Sequence, residues 1–410
     1  MKRRIPLLAI SPGPVALAAL AVVAAVATVA PAAEPDQEQL YQRWAKATEA
    51  RLPEWDYHLT KWAEGIGWYA SPMLHAMVKG YDYSREERWL KPLVKQIDDL
   101  MARRKTEPIP NSKSTRAFPG WGHSITGEAL VLEAILEFVE LAQTEARMPQ
   151  EYKNKAAEYL KAIDPAMITK WDEAGRWADT HMDCGTYIEG ISLPHNKNAH
   201  LGMMLLAAAR VTPSPERRIA YLDKAARLAR RWQKFLKVEN DYYLWHYWDA
   251  AGGWDFDEKG KSRHWTSLEH RGYAQSDTNF VAAAYDHGLV FNGQDMEKHA
   301  RTFLKKIWNG DEENPVYRAQ GWFNPKYVDC GVLGGLAPYN AKIMELLGKS
   351  VDQAAEGWGG MVGVPRYLLM KRRGAGFERH HDQYGRMLKE ALDKRRPEAK
   401  PDPATDPVVR

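Results

Sequence analysis

The sequence lacks most of the features that assign a chain quickly to a class of protein. Its two cysteines, Cys184 and Cys330, limit it to one disulfide in an oxidising compartment, and two buried thiols fit equally well. No HExxH, GxSxG, P-loop or dinucleotide-binding motif is present. The net charge of +4 depends largely on Lys2, Arg3 and Arg4. Without them it falls to about +1, which argues against nucleic acid as a partner, since a basic stripe would be needed to bind it.

The N-terminal segment has the pattern of an export signal. Met1 to Arg4 are followed by the apolar, alanine-rich run Ala16–Ala30 and by the small-residue site Ala30-Pro31-Ala32. We therefore expect residues 1–32 to be a cleaved signal peptide and the mature protein to be periplasmic or secreted. An uncleaved anchor is the alternative. The rest of the sequence has no membrane-spanning run, so stable membrane insertion after cleavage is not expected.

The mature chain is predicted to be all-α. Apolar residues recur with the period of a helix in Ile125–Ala146, Ala199–Val211 and Tyr221–Leu236, and again in Asp277–Leu289 and Asp295–Trp308. Nearly all-apolar helices alternate with charged amphipathic ones, which is typical of an inner and an outer helical layer.

This alternation predicts an (α/α) toroid of helical hairpins, and an open helical solenoid is the rival architecture. We expect one catalytic domain over residues 33–395. Residues 238–276, rich in aromatic residues and without a helical period, form a long loop insertion or a short hairpin. Residues 396–410 are rich in proline and charge and form a disordered tail.

Aromatic residues are unusually abundant, with 16 tryptophans and 19 tyrosines. Their flat faces stack on the C–H face of sugar rings, and Trp and Tyr also keep a polar edge for hydroxyls. Many of them surely serve the core. The excess nevertheless favours a carbohydrate-active protein.

Three polar clusters flank the predicted inner helices. The first contains His195, Asn196, Asn198 and His200, at a helix N-terminus where free N–H groups favour an anion such as a substrate carboxylate. Capping by one asparagine is the structural alternative.

The second cluster is the aromatic run around His246, which includes Trp245 and Trp248. A histidine kept neutral by partial burial suits a general base, and a hydrogen-bonded structural histidine is the alternative.

The third cluster precedes the helix predicted at Asp277, which is itself a natural N-cap. It contains His264, Glu269, His270, Arg271 and Tyr273. An adjacent cation such as Arg271 lowers the pKa of a phenol and makes Tyr273 a better proton-transfer group.

Two weaker clusters complete the candidates. Trp121 and His123 precede the first clear inner helix and could form a sugar platform. His380, His381 and Asp382 have the residue types of metal ligands, but a solvated helix face explains them better. We therefore predict no metal and no cofactor.

Asparagine, histidine, arginine and tyrosine around one cleft fit β-elimination on a uronic-acid polymer. Amide and guanidinium groups neutralise the carboxylate, while histidine or tyrosine moves the protons. Hydrolysis requires two carboxyl groups across the scissile bond. The sequence offers Asp183, Asp255, Asp257 and Glu269 for that purpose, and no two of them form a convincing couple.

These residues also resemble a known family. Leu193-Pro-His-Asn196, Tyr243-Leu-Trp-His-Tyr-Trp248 and Glu269-His-Arg-Gly-Tyr273 are similar to segments of the (α/α)-toroid polysaccharide lyases that act on alginate and glucuronan. The resemblance covers roughly residues 115–310. It implies an asparagine at the substrate carboxylate and a histidine and a tyrosine as the proton-transfer pair. Tyr273 stands where such lyases often have a histidine.

The leading hypothesis is therefore a polysaccharide lyase acting on an alginate-like or glucuronan-like polymer. Asn196 and Arg271 would hold the carboxylate, His246 would be the base and Tyr273 the acid. The other residues named above would bind the acidic polysaccharide substrate: Asn198, His195, His200, Trp245, Trp248, His264, Glu269, His270, Trp121 and His123. The alternatives are a toroid glycoside hydrolase, such as an unsaturated-uronyl hydrolase, and a non-catalytic sugar-binding protein.

Overall fold

The computed structural model describes residues 35–55, 60–180, 183–264, 271–312, 334–373 and 382–395, and these are mostly helical. Its α-helices are α1 (Gln37–Arg51), α2 (Glu64–Ser84), α3 (Leu90–Ala102), α4 (Ile125–Thr144), α5 (Gln150–Ile163), α6 (Lys170–Glu173), α7 (His195–Val211), α8 (Pro215–Phe235), α9 (Arg271–Asp286), α10 (Gly293–Thr302), α11 (Ala341–Ala354), α12 (Gly360–Arg373) and α13 (Gln383–Arg395). Its strands are β1 (Lys105–Pro108), β2 (Ala117–Gly120), β3 (Trp177–Thr180), β4 (Cys184–Tyr187), β5 (Lys237–Glu239) and β6 (Tyr242–Leu244).

The helices form two layers, as the alternating patterns predict. The inner helices α2, α4, α7 and α9 pack side by side in this order, and α12 packs on the other side of α2. Helices α3, α5, α8 and α10 each pack behind the inner helix that precedes them. Helix α4 is buried on almost every face, whereas α8 buries one face and exposes basic side chains. The prediction of an (α/α) toroid is confirmed.

The two ends of the toroid differ in the length of their connections. Inner helices lead to outer ones through short turns, residues 85–89, 145–149, 212–214 and 287–292. Outer helices return to inner ones through residues 103–124, 164–194 and 236–270. The helices alternate in direction, so these long segments all lie at the N-terminal end of the inner helices.

Each long segment contains a two-stranded antiparallel hairpin, β1–β2, β3–β4 or β5–β6. The segment predicted as a loop over residues 238–276 is therefore partly regular. It also extends less far, because α9 begins at Arg271 and Asp277 lies in its second turn instead of at its N-cap. Burial of Ala274, Ser276 and Asp277 explains this early start, since packing there stabilises a helix that the polar sequence does not suggest.

Helices α2 and α4 approach each other closely at their N-terminal ends. A Cβ on Gly67 would lie 2.5 Å from the Gly127 carbonyl oxygen, and a Cβ on Gly127 would lie 2.5 Å from that of Ala63. Only glycine permits backbones to come so near. This contact fixes the position of the first turns of both helices.

Some predictions concern residues that the structure does not describe. The predicted signal peptide, residues 1–32, and the predicted tail, residues 396–410, lie outside the described ranges, as does Cys330. Cys184 is buried in β4. Helices long and apolar enough to cross a membrane are absent from the described residues.

Candidate active site

Charged side chains line the inside of the ring, where they interrupt otherwise apolar helices. Helix α2 contributes His75 and Lys79, α4 contributes Glu133 and Glu137, and α7 contributes Arg210. Residues four apart share one face of a helix, so each pair projects in one direction. All five side chains keep partial exposure although they lie among the inner helices. They therefore line a solvent-accessible axial cleft and not a dry core.

Glu137 is held in its charged form. Its Oε2 accepts hydrogen bonds at 2.8 Å from Lys79 Nζ and at 2.8 Å from His75 Nδ1. Burial raises the pKa of the Glu137 carboxyl, but Lys79 and His75 more than offset this, and the pKa lies well below its ordinary value. Among the described residues, Glu137 Oε1 has no hydrogen-bond partner.

Glu133 has the opposite character. No described residue donates a hydrogen bond to its carboxyl or forms an ion pair with it. Burial, opposed by His75 and reinforced by the negative charge of Glu137, raises the pKa of Glu133 to about 7. One turn of helix therefore carries a carboxylic acid and a carboxylate that differ in protonation near neutral pH.

Arginines from two further inner helices interact with the charges of the carboxyl pair. Arg210 Nε donates to Glu140 Oε2 at 2.7 Å, and Arg366 of α12 donates to Asn279 Oδ1 of α9 at 3.0 Å. Burial lowers the pKa of Arg366 while the charges of Glu137 and Glu133 raise it. The carboxyl pair thus lies among side chains from all five inner helices.

This arrangement supports acid–base chemistry at one bond. A protonated carboxyl and an ionised carboxylate at adjacent positions are the two groups that glycoside hydrolysis requires. Within the described ranges, no three His, Cys, Asp or Glu side chains are grouped so as to hold a metal ion.

The histidines of the first two predicted clusters share one carboxylate. His195 Nε2 lies 3.0 Å from Asp249 Oδ2, and His246 Nδ1 lies 3.3 Å from Asp249 Oδ1. The His195 ring also packs against Trp232 of outer helix α8, and burial lowers its pKa to about 4. His246 keeps a quarter of its side chain exposed. This group lies beside the outer layer and not among the inner-helix charges.

The aromatic residues near His246 anchor the long loop. The ring of Trp248 lies 4.4 Å from that of His264, whose Nε2 is 2.9 Å from Asp255 Oδ1. Asp255 is fully buried and also accepts two hydrogen bonds at 2.7 Å from Ser192. The ring of Trp245 is buried. These contacts fasten residues 245–264 to the segment before α7.

The polar residues at the start of α7 have separate surroundings. Asn198 Oδ1 accepts from the Tyr187 amide at 3.1 Å, and its Nδ2 donates to the Leu193 carbonyl at 2.8 Å, so it ties β4 to α7 and does not cap the helix. Asn196 is buried, and its Oδ1 has no hydrogen-bond partner among the described residues. His200 Nε2 lies 2.9 Å from Ser276 Oγ of α9.

The predicted platform of Trp121 and His123 lies in the interior. Trp121 is fully buried, and its Nε1 donates to the Leu100 carbonyl at 2.8 Å. His123 is buried beside Lys170, with its Nδ1 at 3.3 Å from Lys170 Nζ. Neither ring is accessible to a sugar, because the hairpin β1–β2 folds these residues into the core.

The third cluster lies largely outside the described part of the structure. Glu269 and His270 lie outside the described residues, and so do His380 and His381. Arg271 and Tyr273 belong to the first turn of α9, and their side chains are outside the described part of the structure.

The carboxyl pair was missed at the level of sequence. Its signal is present, because Glu133 and Glu137 stand four residues apart in a helix that is otherwise almost entirely apolar. His75 and Lys79 show the same spacing in α2. Such spacing is also typical of an exposed helix face, and only the packing of the inner layer shows that both pairs face the cleft.

Comparison with known proteins gives a similarity in fold. No protein-family model matches the chain, and no curated protein is significantly similar to it. Among solved structures, it is similar to the α-1,6-mannanase GH76A of Salegentibacter sp. HEL1_6, with a TM-score of 0.43 and 12% identity over 83% of this chain and 99% of that chain. An inactive variant of that enzyme, in complex with α-1,6-mannotetrose, gives a TM-score of 0.44 and 11% identity over the same shares of the two chains.

These structures correct the leading hypothesis. They are glycoside hydrolases, so the prediction of a polysaccharide lyase is wrong, and with it the predicted alginate or glucuronan substrate. The toroid part of the resemblance holds. The lyase was favoured because no convincing pair of carboxyl groups was recognised in the sequence. The residues considered for such a couple, Asp183, Asp255, Asp257 and Glu269, did not include Glu133 and Glu137, which lie on inner helix α4.

Proposed function

We propose that the protein is a glycoside hydrolase in which Glu133 donates a proton and Glu137 acts as the ionised carboxylate. The observation that carries this proposal is a pair of carboxyl groups one helical turn apart inside the ring, of which Glu137 is bound by Lys79 and His75 while Glu133 has no such partner among the described residues, so that their pKa values move in opposite directions. Paired carboxyls whose pKa values are pushed apart are the signature of the acid and base roles in glycoside hydrolysis.

In the first step, Glu133 protonates the glycosidic oxygen as its bond to the anomeric carbon breaks. Glu133 suits this role because burial raises the pKa of its carboxyl to about 7 and no described residue hydrogen-bonds to it and competes for the proton. The positive charge that develops on the sugar ring is stabilised by the negative charge of Glu137.

The helical spacing favours a retaining reaction. Side chains four residues apart on a helix have Cβ atoms about 5–6 Å apart, which is close to the carboxyl separation of about 5–5.5 Å in retaining enzymes. Glu137 Oε1 would attack the anomeric carbon, since Oε2 is engaged by Lys79 and His75. Water, deprotonated by Glu133, would then attack the same carbon and release Glu137.

A polysaccharide is the substrate class that we propose. The aromatic excess of the sequence and the partly exposed aromatic side chains Trp68 and Trp248 support it. One solved structure with a similar fold is an inactive α-1,6-mannanase variant in complex with α-1,6-mannotetrose, and neutral polymers are tested beside acidic ones. The predicted signal peptide supports export, so we propose an extracellular or periplasmic polymer. The partly exposed His246 and Trp248 remain proposed substrate contacts.

The test is incubation of the purified protein with a panel of soluble neutral and acidic polysaccharides. Released reducing ends and ultraviolet absorbance are followed together. Hydrolysis releases reducing ends without the absorbance of a C4–C5 double bond. The Glu133→Gln variant should lose this activity, whereas Glu158→Gln, the same change at an exposed position of outer helix α5, should keep most of it.

The other outcomes each decide against the proposal. Reducing ends accompanied by rising absorbance would contradict hydrolysis. Full turnover in Glu133→Gln would remove Glu133 from the reaction. Binding of polysaccharide without any product would identify a sugar-binding protein.

A further inference from the structure

We infer that Trp68 forms a sugar-binding platform at the entrance of the axial cleft, a subsite for a pyranose ring of the substrate chain. The inference rests on the proposed function for the position of the reacting bond. It goes beyond that function by assigning a binding residue that none of the sequence patterns indicated.

Trp68 differs from most tryptophans of the chain by its exposure. It is 39% exposed, whereas Trp121 and Trp245 are buried. A large exposed aromatic ring carries an energetic cost in water that a ligand can recover by covering it. Stacking of an indole on the C–H face of a sugar is a contact of this kind.

The ring is held in a fixed orientation although it is exposed. Trp68 Nε1 donates to Glu64 Oε1 at 3.2 Å, and Glu64 Oε2 accepts from Lys197 Nζ of α7 at 3.0 Å. On one side the indole meets the His200 ring edge-on, with 5.3 Å between ring centres and an angle of 82°. A ring restrained in this way loses little conformational entropy on binding, which favours affinity.

The surroundings of the ring suit a neutral polyhydroxyl ligand. Burial lowers the pKa of His200 to about 3, so its imidazole is uncharged over the ordinary pH range. The Lys197–Glu64 pair is partly exposed and offers both a donor and an acceptor beside the indole. Sugar hydroxyls donate and accept hydrogen bonds, and both kinds of partner are therefore present at the ring edge.

The position of Trp68 along α2 links it to the carboxyl pair. Trp68, His75 and Lys79 are seven and then four residues apart, so they follow one face of the helix. Seven residues correspond to about 10 Å along the axis. His75 and Lys79 bind Glu137. A chain that stacks on Trp68 can therefore extend down the cleft towards Glu133 and Glu137.

The experiment separates binding from turnover. Glu133→Gln protein is applied to an array of neutral and acidic oligosaccharides, together with three double variants that add Trp68→Ala, Trp68→Phe or Phe256→Ala. Phe256 is the matched control, because it is also 39% exposed but lies outside α2. Thermal unfolding confirms that each protein is folded.

We expect the Glu133→Gln protein to bind at least one oligosaccharide class and Trp68→Ala to weaken that binding about fivefold to tenfold. Trp68→Phe should weaken it less, since it keeps a flat apolar face, and Phe256→Ala should leave it unchanged. Equal binding by Trp68→Ala, or no binding to any oligosaccharide by the parent, would overturn the platform. If binding depends on Trp68 while the wild type releases no product, the platform stands and the proposed hydrolysis fails.

Discussion

Two carboxyl sites on helix α4 show how differently the same residue type can be used. Glu128, in the first turn, is fully buried and forms an ion pair with the fully buried Lys170. It also accepts hydrogen bonds from the amides of Trp121 at 2.8 Å and His123 at 3.2 Å. Every feature of this site fixes the hairpin β1–β2 against the core.

Glu133 lies five residues further along the same helix and has none of these partners among the described residues. Its carboxyl is partly accessible from the cleft, and its pKa is raised to about 7. A buried carboxylate satisfied by a cation and by amides contributes to the fold, since its removal leaves the partners unpaired. A carboxyl that lacks partners and meets solvent contributes little to folding and is free to exchange a proton with a substrate.

The largest expected effect is on turnover. Glu133→Gln should lower kcat on the proposed polysaccharide substrate roughly a hundredfold to ten-thousandfold, because an amide cannot donate the proton. At pH 4.5 its free energy of unfolding should change by less than about 1 kcal/mol, as the glutamine keeps the shape of the protonated acid. Steady-state kinetics and urea unfolding measure the two quantities. A strongly destabilised variant would mean that Glu133 is structural, like Glu128.

Substitution of Glu128 should instead affect the stability of the fold. Glu128→Ala leaves the Lys170 ammonium buried without a counter-charge and should lower the free energy of unfolding by about 3–5 kcal/mol. Urea unfolding of Glu128→Ala beside Glu133→Ala measures the difference between the two sites. Similar losses in both variants would remove the distinction between them.

The charge environment of the pair should be visible in the pH profile. Lys79 lowers the pKa of both Glu137 and Glu133. Lys79→Gln should therefore move the acidic and the alkaline limbs of kcat/KM to higher pH, by about one unit for the loss of one close charge. An unchanged profile would contradict the assignment of these limbs to the two carboxyls.

The smallest expected effect is on the pH dependence of the free energy of unfolding. The folded-state pKa of Glu133, about 7, exceeds the ordinary value of 4.5, so the folded protein binds a proton that the unfolded chain releases. The stability gained from this proton is complete below pH 4.5 and is lost as the pH rises through 7. Urea unfolding from pH 4.5 to 8 should show wild type losing stability relative to Glu133→Gln, by at most about 1.4 kcal/mol per pH unit. Parallel curves would contradict the raised pKa.

Local sequence patterns predicted the scaffold well. An inner and an outer layer were correctly predicted from the apolar periodicity of α4 and α7 and from the basic amphipathic pattern of α8. A helix that is buried on all sides is apolar all round, whereas a helix that is buried on one face keeps charged residues on the other. The start of α9 was misplaced by six residues, since its first turn is stabilised by packing and not by propensity.

The aromatic and histidine clusters were harder to interpret. Trp121 and Trp245 were expected near a ligand and are buried, while Trp68 was overlooked and is exposed. Composition shows that aromatic residues are abundant, but the exposure of each ring depends on which hairpin or helix covers it.

The sequence by itself thus determined the all-α class and the alternation of layers, since both follow from local periodicity. Only the tertiary structure decided which charged residues meet. Glu137 is brought within 2.8 Å of Lys79 and His75 by the packing of α2 on α4, although these two residues lie 58 and 62 positions from Glu137 in the chain. The pKa values of Glu133 and Glu137 depend on burial and on these distant charges, so no pattern of neighbouring residues could have predicted them.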